Sequence, residues 1–297
     1  MNIGNDIRLM RLKHWVKDVF VLAPLIFSLS FDKPTCILKT ALMCLVFGLA
    51  SSVVYIINDI IDRNNDRHHP KKRNRPIAGG QISVQHALVL AVVLVVFALG
   101  FSLSLNLASM VVIISYIGIN IAYSLYLKKQ AFIEVMIIAA GFLLRIIAGA
   151  VVIDVPLSRW MLLTTFFLAL FLGFGKRRKE MIAVTNCAEH RSVLEQYSVE
   201  LLNCLIIISA SLTIITYSLY VVISQNVERL GSNGFITTIP LVVFGVFRYL
   251  YLVYRENAGG DPAELLLRDR PLIADIVLWM ITVSILLGVS MLCEVST

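Results

Sequence analysis

The feature that most limits what this chain can fold into is a series of nine apolar runs separated by more polar segments, the long ones at 58–83, 176–200 and 254–270. The runs fall at about Asp18–Phe31, Cys36–Ile57, Val84–Leu105, Ser109–Leu127, Phe132–Ile153, Trp160–Gly175, Leu201–Ser224, Phe235–Val253 and Pro271–Leu292. A helix rising 1.5 Å per residue needs roughly 20 residues to cross about 30 Å of hydrocarbon. Seven of the runs have about that length; the first and sixth are shorter. None alternates apolar with polar, and only helices and closed barrels satisfy their backbone in lipid, so the runs are read as transmembrane helices. Hydrophobic residues make up 58% of the 297 and charged residues 15%, against about 45–50% and 25% in a soluble domain. Disorder, a disulfide scaffold and an ordinary soluble enzyme are excluded. No Pro-, Gly- or Ser-rich linker divides the chain, so residues 1–297 are expected to form one domain.

The net charge of +7 does not point to nucleic acid, because the basic residues cluster in short loops between apolar runs. With the N-terminus in the cytoplasm, 20 Lys and Arg fall on the cytoplasmic side and 4 on the other. The positive-inside rule then predicts a multi-pass protein of the cell (inner) membrane, with a cytoplasmic N-terminus and, after nine spans, an exterior C-terminus. The five cysteines lack metal-ligand spacing and read as buried thiols without a redox role. No apolar stretch precedes the N-terminal charges, so no cleaved signal peptide is expected.

The chemistry concentrates at the end of the second run, in Asn58-Asp59-Ile-Ile-Asp62-Arg-Asn-Asn-Asp66. Carboxylates at i, i+3 and i+7 share an arc of about 60° on a helix. Such crowding calls for a neutralising partner, and Mg²⁺ takes hard oxygen ligands while leaving room for phosphate oxygens. Asn58, Asp59, Asp62 and Asp66 are the candidate metal ligands. The next segment, Arg67-His-His-Pro-Lys71-Lys72-Arg73-Asn-Arg75-Pro76-Ile-Ala-Gly-Gly80, is basic. Acid followed by base suits a metal-bound diphosphate, with Lys or Arg side chains taking the remaining oxygens; lipid headgroup anchoring is the plainer alternative.

Other positions carry two readings each. Arg145 lies inside the fifth run, where an unpaired cation is costly. Glu134, eleven residues earlier, lies on about the same helix face. Both are expected to line an interior cavity, as substrate contacts or as a structural pair. Tyr123 offers a hydroxyl near the headgroup zone, or is an ordinary interfacial tyrosine. Lys17 follows Trp15 as an interface anchor or a phosphate contact.

NDxxDxxxD at the end of the second span, with a loop ending in Arg75-Pro76, resembles the UbiA superfamily of intramembrane prenyltransferases. That resemblance implies nine helices around a central cavity open to the cytoplasmic side, and Mg²⁺ (Mn²⁺ as a substitute) at the acidic motif. The family usually carries a second acidic motif after the sixth span. Here that place reads Lys176-Arg177-Arg178-Lys179-Glu180. A basic cluster suits a phosphate monoester better than a second metal. This pattern is similar to the decaprenyl-phosphate phosphoribosyltransferase branch. So are Trp15-Val-Lys17, Tyr123–Lys128, Phe142–Gly149 and Glu264–Pro271, although Leu12 and Asp18 stand where Pro and Asn are more usual.

The resemblance implies transfer of 5-phosphoribosyl from phosphoribosyl diphosphate to a polyprenyl phosphate in the lipid phase, with release of diphosphate. Asp59, Asp62 and Asp66 would hold the metal that neutralises the leaving group. Asn58, Lys71 and Arg75 would serve the donor. Lys128, Arg145, Lys176 and Arg177 would hold the acceptor, with Lys17, Tyr123, Glu134 and Glu180 also near substrate. Two other readings stand beside it. One is a prenyltransferase with an aromatic acceptor, against which the 176–179 cations argue. The other is a transporter, against which the single acidic cluster argues. Nucleic acid is not an expected partner, and the sequence does not indicate an oligomeric state.

Overall fold

The computed structural model describes residues 3–68, 72–184, 193–223, 232–255, 265 and 268–295. Among these the regular structure is helical, with no strand. The chain divides into two compact units, 1–156 and 157–297. Among the described residues eight helices are long and apolar enough to cross a membrane, so the protein is a multi-pass membrane protein.

In the first unit the long helices are α3 (Pro34–Ile61), α5 (Val84–Leu105), α6 (Leu107–Leu125) and α7 (Ile133–Ile153). The shorter α1 (Ile3–Met10) and α2 (Ala23–Phe27) precede them, and α4 (Arg63–His68) follows α3. α3 is the central element. It packs against α1, the segment after it, α5, α6 and α7. Met43, Val46, Phe47, Ala50, Val53 and Ile56 of α3 are fully buried. α5 turns the other way: Val89, Val92 and Val96 are 64%, 61% and 64% exposed. A continuous apolar stripe this open is a lipid-facing surface. A single residue joins α5 to α6. Extended Asn106 ends one helix and caps the next, its Oδ1 accepting from Ser109 N at 2.7 Å. Its Nδ2 donates to the Val151 carbonyl of α7 at 3.1 Å.

The first expected span is not one α-helix. Leu12–Leu22 forms a 3₁₀ helix, followed by α2 and a 3₁₀ turn at Ser30–Asp32. Three residues per turn puts every third side chain on one face. Trp15, Asp18, Val21 and Pro24 make the inward row, and Lys13, Val16 and Val19 the outward one. At about 2.0 Å per residue, eleven residues cover about 22 Å. The segment therefore runs antiparallel along α3, from Arg11 beside Asp59 through Trp15 beside Ser52 to Asp18 beside Cys44. Two glycines admit it. A Cβ on Gly48 would lie 2.5 Å from Trp15 Cδ2, and one on Gly149 would lie 2.0 Å from the Val21 carbonyl oxygen.

In the second unit the helices are α8 (Arg159–Val184), α9 (Val199–Ile223), α10 (Ile239–Arg255) and α11 (Arg270–Val295). α8 corrects the reading of the sixth run. The apolar stretch ends at Gly175, but the helix continues through the basic run to Val184. Lys, Arg, Glu, Met and Ala are all good helix formers, and no Pro or Gly interrupts them. Trp279 of α11 donates to the Tyr217 hydroxyl of α9 at 2.9 Å, and that hydroxyl also meets Thr238 at 2.8 Å.

Candidate active site

The acidic motif lies where α3 gives way to α4. The helix is interrupted at Asp62, with Asp62 N bonded to Asn58 O and Asp66 N to Asp62 O. Asp59 and Asp66 are buried and Asp62 is half-buried. The expected single arc becomes two directions. Arg75 Nη1 donates to Asp59 Oδ1 at 3.1 Å and to Asp66 Oδ2 at 2.6 Å, bridging the two carboxylates. Asp62 turns instead to Lys128 Nζ at 2.5 Å. The turn after Arg75 fixes that residue: Gly79 N bonds Arg75 O, and both Gln81 N and Ile82 N bond Pro76 O.

A further cation belongs here that the sequence reading used only for topology. Arg11 has a left-handed backbone (φ 54°) and donates to Asp59 Oδ1 at 2.6 Å across 48 residues of chain. Its guanidinium lies 5.1 Å from the Tyr55 ring centroid, a cation–π distance. Nothing in the local sequence marks Arg11, whose partner lies 48 residues away.

Deeper in the same unit Arg145 of α7 is buried. Its Nε donates to Asp18 Oδ1 at 2.7 Å, its Nη1 to Gly141 O at 2.9 Å, and its Nη2 to Ser51 Oγ and Tyr116 Oη, each at 3.2 Å. The rings of Phe47, Tyr116 and Phe142 surround it at 5.0, 5.1 and 5.6 Å. Asp18, noted in the sequence only as a departure, is the carboxylate that neutralises it. Glu134 is fully buried at the start of α7. Asn58, Lys17 and Tyr123 are half-buried. Lys71 lies outside the described residues.

In the second unit Arg177 is ion-paired to Glu180 one turn later. Arg178 holds three helices together: it donates to Asn203 Oδ1 at 2.8 Å and Val253 O at 2.9 Å, and stacks 4.6 Å from the Tyr254 ring. Lys176 and Lys179 are half-buried on the same helix end. Arg248 makes a two-pronged contact with Asp269, at 3.0 and 2.7 Å. Asp269 also accepts from Leu272 N at 3.0 Å, capping α11. The guanidinium bonded to Asp269 holds its carboxyl below the usual range.

The acidic motif fits a hard divalent cation by donor type, since its side-chain donors are all oxygen. Asp59 Oδ2 is buried with no hydrogen-bond partner among the described residues. Arg75 already places one positive charge between Asp59 and Asp66. Among the described residues no three His, Cys, Asp or Glu side chains are grouped closely enough to hold a metal ion as they stand.

The model of the UbiA prenyltransferase family matches residues 20–268. The chain belongs to the UbiA prenyltransferase family. Two relatives, the decaprenyl-phosphate phosphoribosyltransferases of Mycobacterium tuberculosis and Mycolicibacterium smegmatis, are each 34% identical to it. The first aligns over 95% of this chain and 93% of its own length, the second over 95% and 92%. Among solved structures, a UbiA homolog from Archaeoglobus fulgidus bound to DMAPP and Mg²⁺ superposes with a TM-score of 0.74 at 16% identity. It covers 96% of this chain and 99% of that one. This UbiA fold places the acidic motif and its three basic partners in one unit.

Proposed function

We propose that the protein is a membrane glycosyltransferase that moves 5-phosphoribosyl from phosphoribosyl diphosphate to a polyprenyl phosphate and releases diphosphate. The observation that carries this reading is that every carboxylate of the acidic motif is held by a basic side chain: Asp59 by Arg11 and Arg75, Asp66 by Arg75, Asp62 by Lys128. A magnesium ion bound to the carboxylates would supply charge neutralisation for the departing diphosphate. Arg11, Arg75 and Lys128 would then turn from the carboxylates to phosphate oxygens, exchanging one anionic partner for another. The C1–O bond of the donor breaks toward diphosphate, and an acceptor phosphate oxygen forms the new bond to C1.

That acceptor, with a second pKa near 6, is largely dianionic at neutral pH and needs no general base. Catalysis is positioning and electrostatics. Lys176 and Arg177 are assigned to the acceptor phosphate, whose negative charge they would offset; a second metal ion would be repelled by them. Identity of 34% to relatives of this activity supports phosphoribosyl over prenyl as the transferred group. The family match across both units supports one catalytic domain. The 20 basic residues against 4 support a cytoplasmic N-terminus, an exterior C-terminus and residence in the cell's inner membrane.

The test offers phosphoribosyl diphosphate labelled in the ribose to the purified protein with polyprenyl phosphate and Mg²⁺. Label is expected to enter the lipid phase. Label staying in water, while a labelled prenyl diphosphate is consumed with an aromatic acceptor, would replace this reading with prenyl transfer.

A further inference from the structure

On the flank of α4 away from the acidic motif lies a cleft of about 330 Å³, lined by Arg63, Arg67, Gly80, Ser83, Val84 and Gln85 among others. None of its lining residues is acidic. A water occupies about 30 Å³ of liquid, so a hydrated phosphate ester fits. Arg63 and Arg67 are one turn apart and share a face. Each follows a motif aspartate by one residue, and about 100° of helix rotation turns it away from the Arg75 side. Arg63 Nε is buried and lacks a hydrogen-bond partner among the described residues. Arg67 Nε donates to the Ala78 carbonyl at 3.3 Å, which fixes the stem and leaves the two Nη groups for another acceptor.

Facing them is the start of α5, a 22-residue helix capped by Ser83, whose Oγ accepts from His86 N at 3.2 Å. The first N–H groups, at Val84 and Gln85, have no acceptor within the helix, and the helix dipole adds positive potential there. Gly80, with φ +72°, supplies the left-handed bend that brings the loop round to this point. Val84 also begins a helix long and apolar enough to cross a membrane, so the cleft lies at the end of a candidate span.

We propose that this cleft is a phosphate-binding site, separate from the acidic motif, which takes a phosphate monoester or diester between Arg63, Arg67 and the α5 N-terminus. Two sources share that chemistry: an anionic lipid headgroup and a soluble phosphate. Binding of short-chain phosphatidylglycerol, short-chain phosphatidylcholine and inorganic phosphate to the detergent-purified full chain tells them apart. EDTA is present throughout, so that phosphate held through a metal at the acidic motif makes no contribution and failure of the proposed reaction leaves this result untouched.

Preference for phosphatidylglycerol over phosphatidylcholine marks a headgroup site; binding of inorganic phosphate marks a soluble ester. In either case Arg63→Gln with Arg67→Gln is expected to weaken binding at least about tenfold. Gln85→Glu is expected to do the same by placing an anion in the cleft. It decides the matter if the double variant does not fold, because an acid in the first helical turn favours the helix. Arg73→Gln, exposed and outside the cleft, leaves binding unchanged. Binding of none of the probes, binding that survives both variants, or equal weakening by Arg73→Gln overturns the proposal.

Discussion

Arg75 stands between Asp59 and Asp66 where the family chemistry calls for a cation, and Asp62 stands apart on Lys128. The two kinds of carboxylate therefore respond differently to substitution. Asp62→Asn keeps the size of the side chain, loses the pair with Lys128 and removes a proposed metal ligand. Turnover is expected to fall steeply, with no recovery at high polyprenyl phosphate, as steady-state kinetics on membrane-inserted protein will read. Lys176→Ala with Arg177→Ala leaves the acidic motif intact. The apparent acceptor KM is expected to rise about ten- to a hundredfold, from loss of one charge-assisted contact of roughly 1.5–3 kcal/mol. An unchanged acceptor KM would remove the assignment of these cations to the acceptor. The buried pair of Arg145 and Asp18 gives a third test at this scale. Arg145→Met alone leaves Asp18 buried and charged, at a cost of about 3–5 kcal/mol. Adding Asp18→Leu is expected to restore most of the loss in thermal unfolding. No recovery in the double variant would show that Arg145 acts through partners other than Asp18.

Among the elements, the 3₁₀ segment Leu12–Leu22 has most consequence, because it carries Trp15 and Asp18 and positions Arg11 against Asp59. Gly48→Ala puts a methyl within 2.5 Å of the Trp15 ring, and Gly149→Ala one within 2.0 Å of a backbone oxygen. Overpacking costs typically 1–3 kcal/mol. The Gly149 change is expected to be the worse of the two, since a backbone oxygen yields less than a side chain, as comparison of their unfolding temperatures will show. The junction of α10 and α11 has its own pH signature. Asp269 is held below the ordinary carboxylate range by Arg248, so its contribution to stability is fully present above about pH 4 and is lost as pH falls through the lowered value. The gap in stability between the protein and Asp269→Asn is expected to be constant above about pH 5 and to narrow only under strong acid. A gap that closes between pH 5 and 7 would contradict this.

For the whole molecule the reaction is expected to stop in excess EDTA and to return with Mg²⁺. Full turnover in EDTA would remove the metal from the mechanism. What the sequence alone determined is the membrane-spanning helical class, the rough place of eight long helices, and the concentration of acid and base around residues 58–80. These are local properties: apolar length, hydropathy and residue order are written in consecutive positions. Tertiary structure decided the rest. The first run fell short of an α-helical span, and only its packing against Gly48 and Gly149 reveals a 3₁₀ path with its longer rise. The basic run after Gly175 read as a loop because its hydropathy changes there, yet the helix persists because propensity does not. The partners of the charged groups were out of reach, since Arg11 meets Asp59 across 48 residues and Arg145 meets Asp18 across 127. In a low-dielectric interior each buried charge must find its counter-charge wherever the fold brings one, and sequence distance places no limit on where that is.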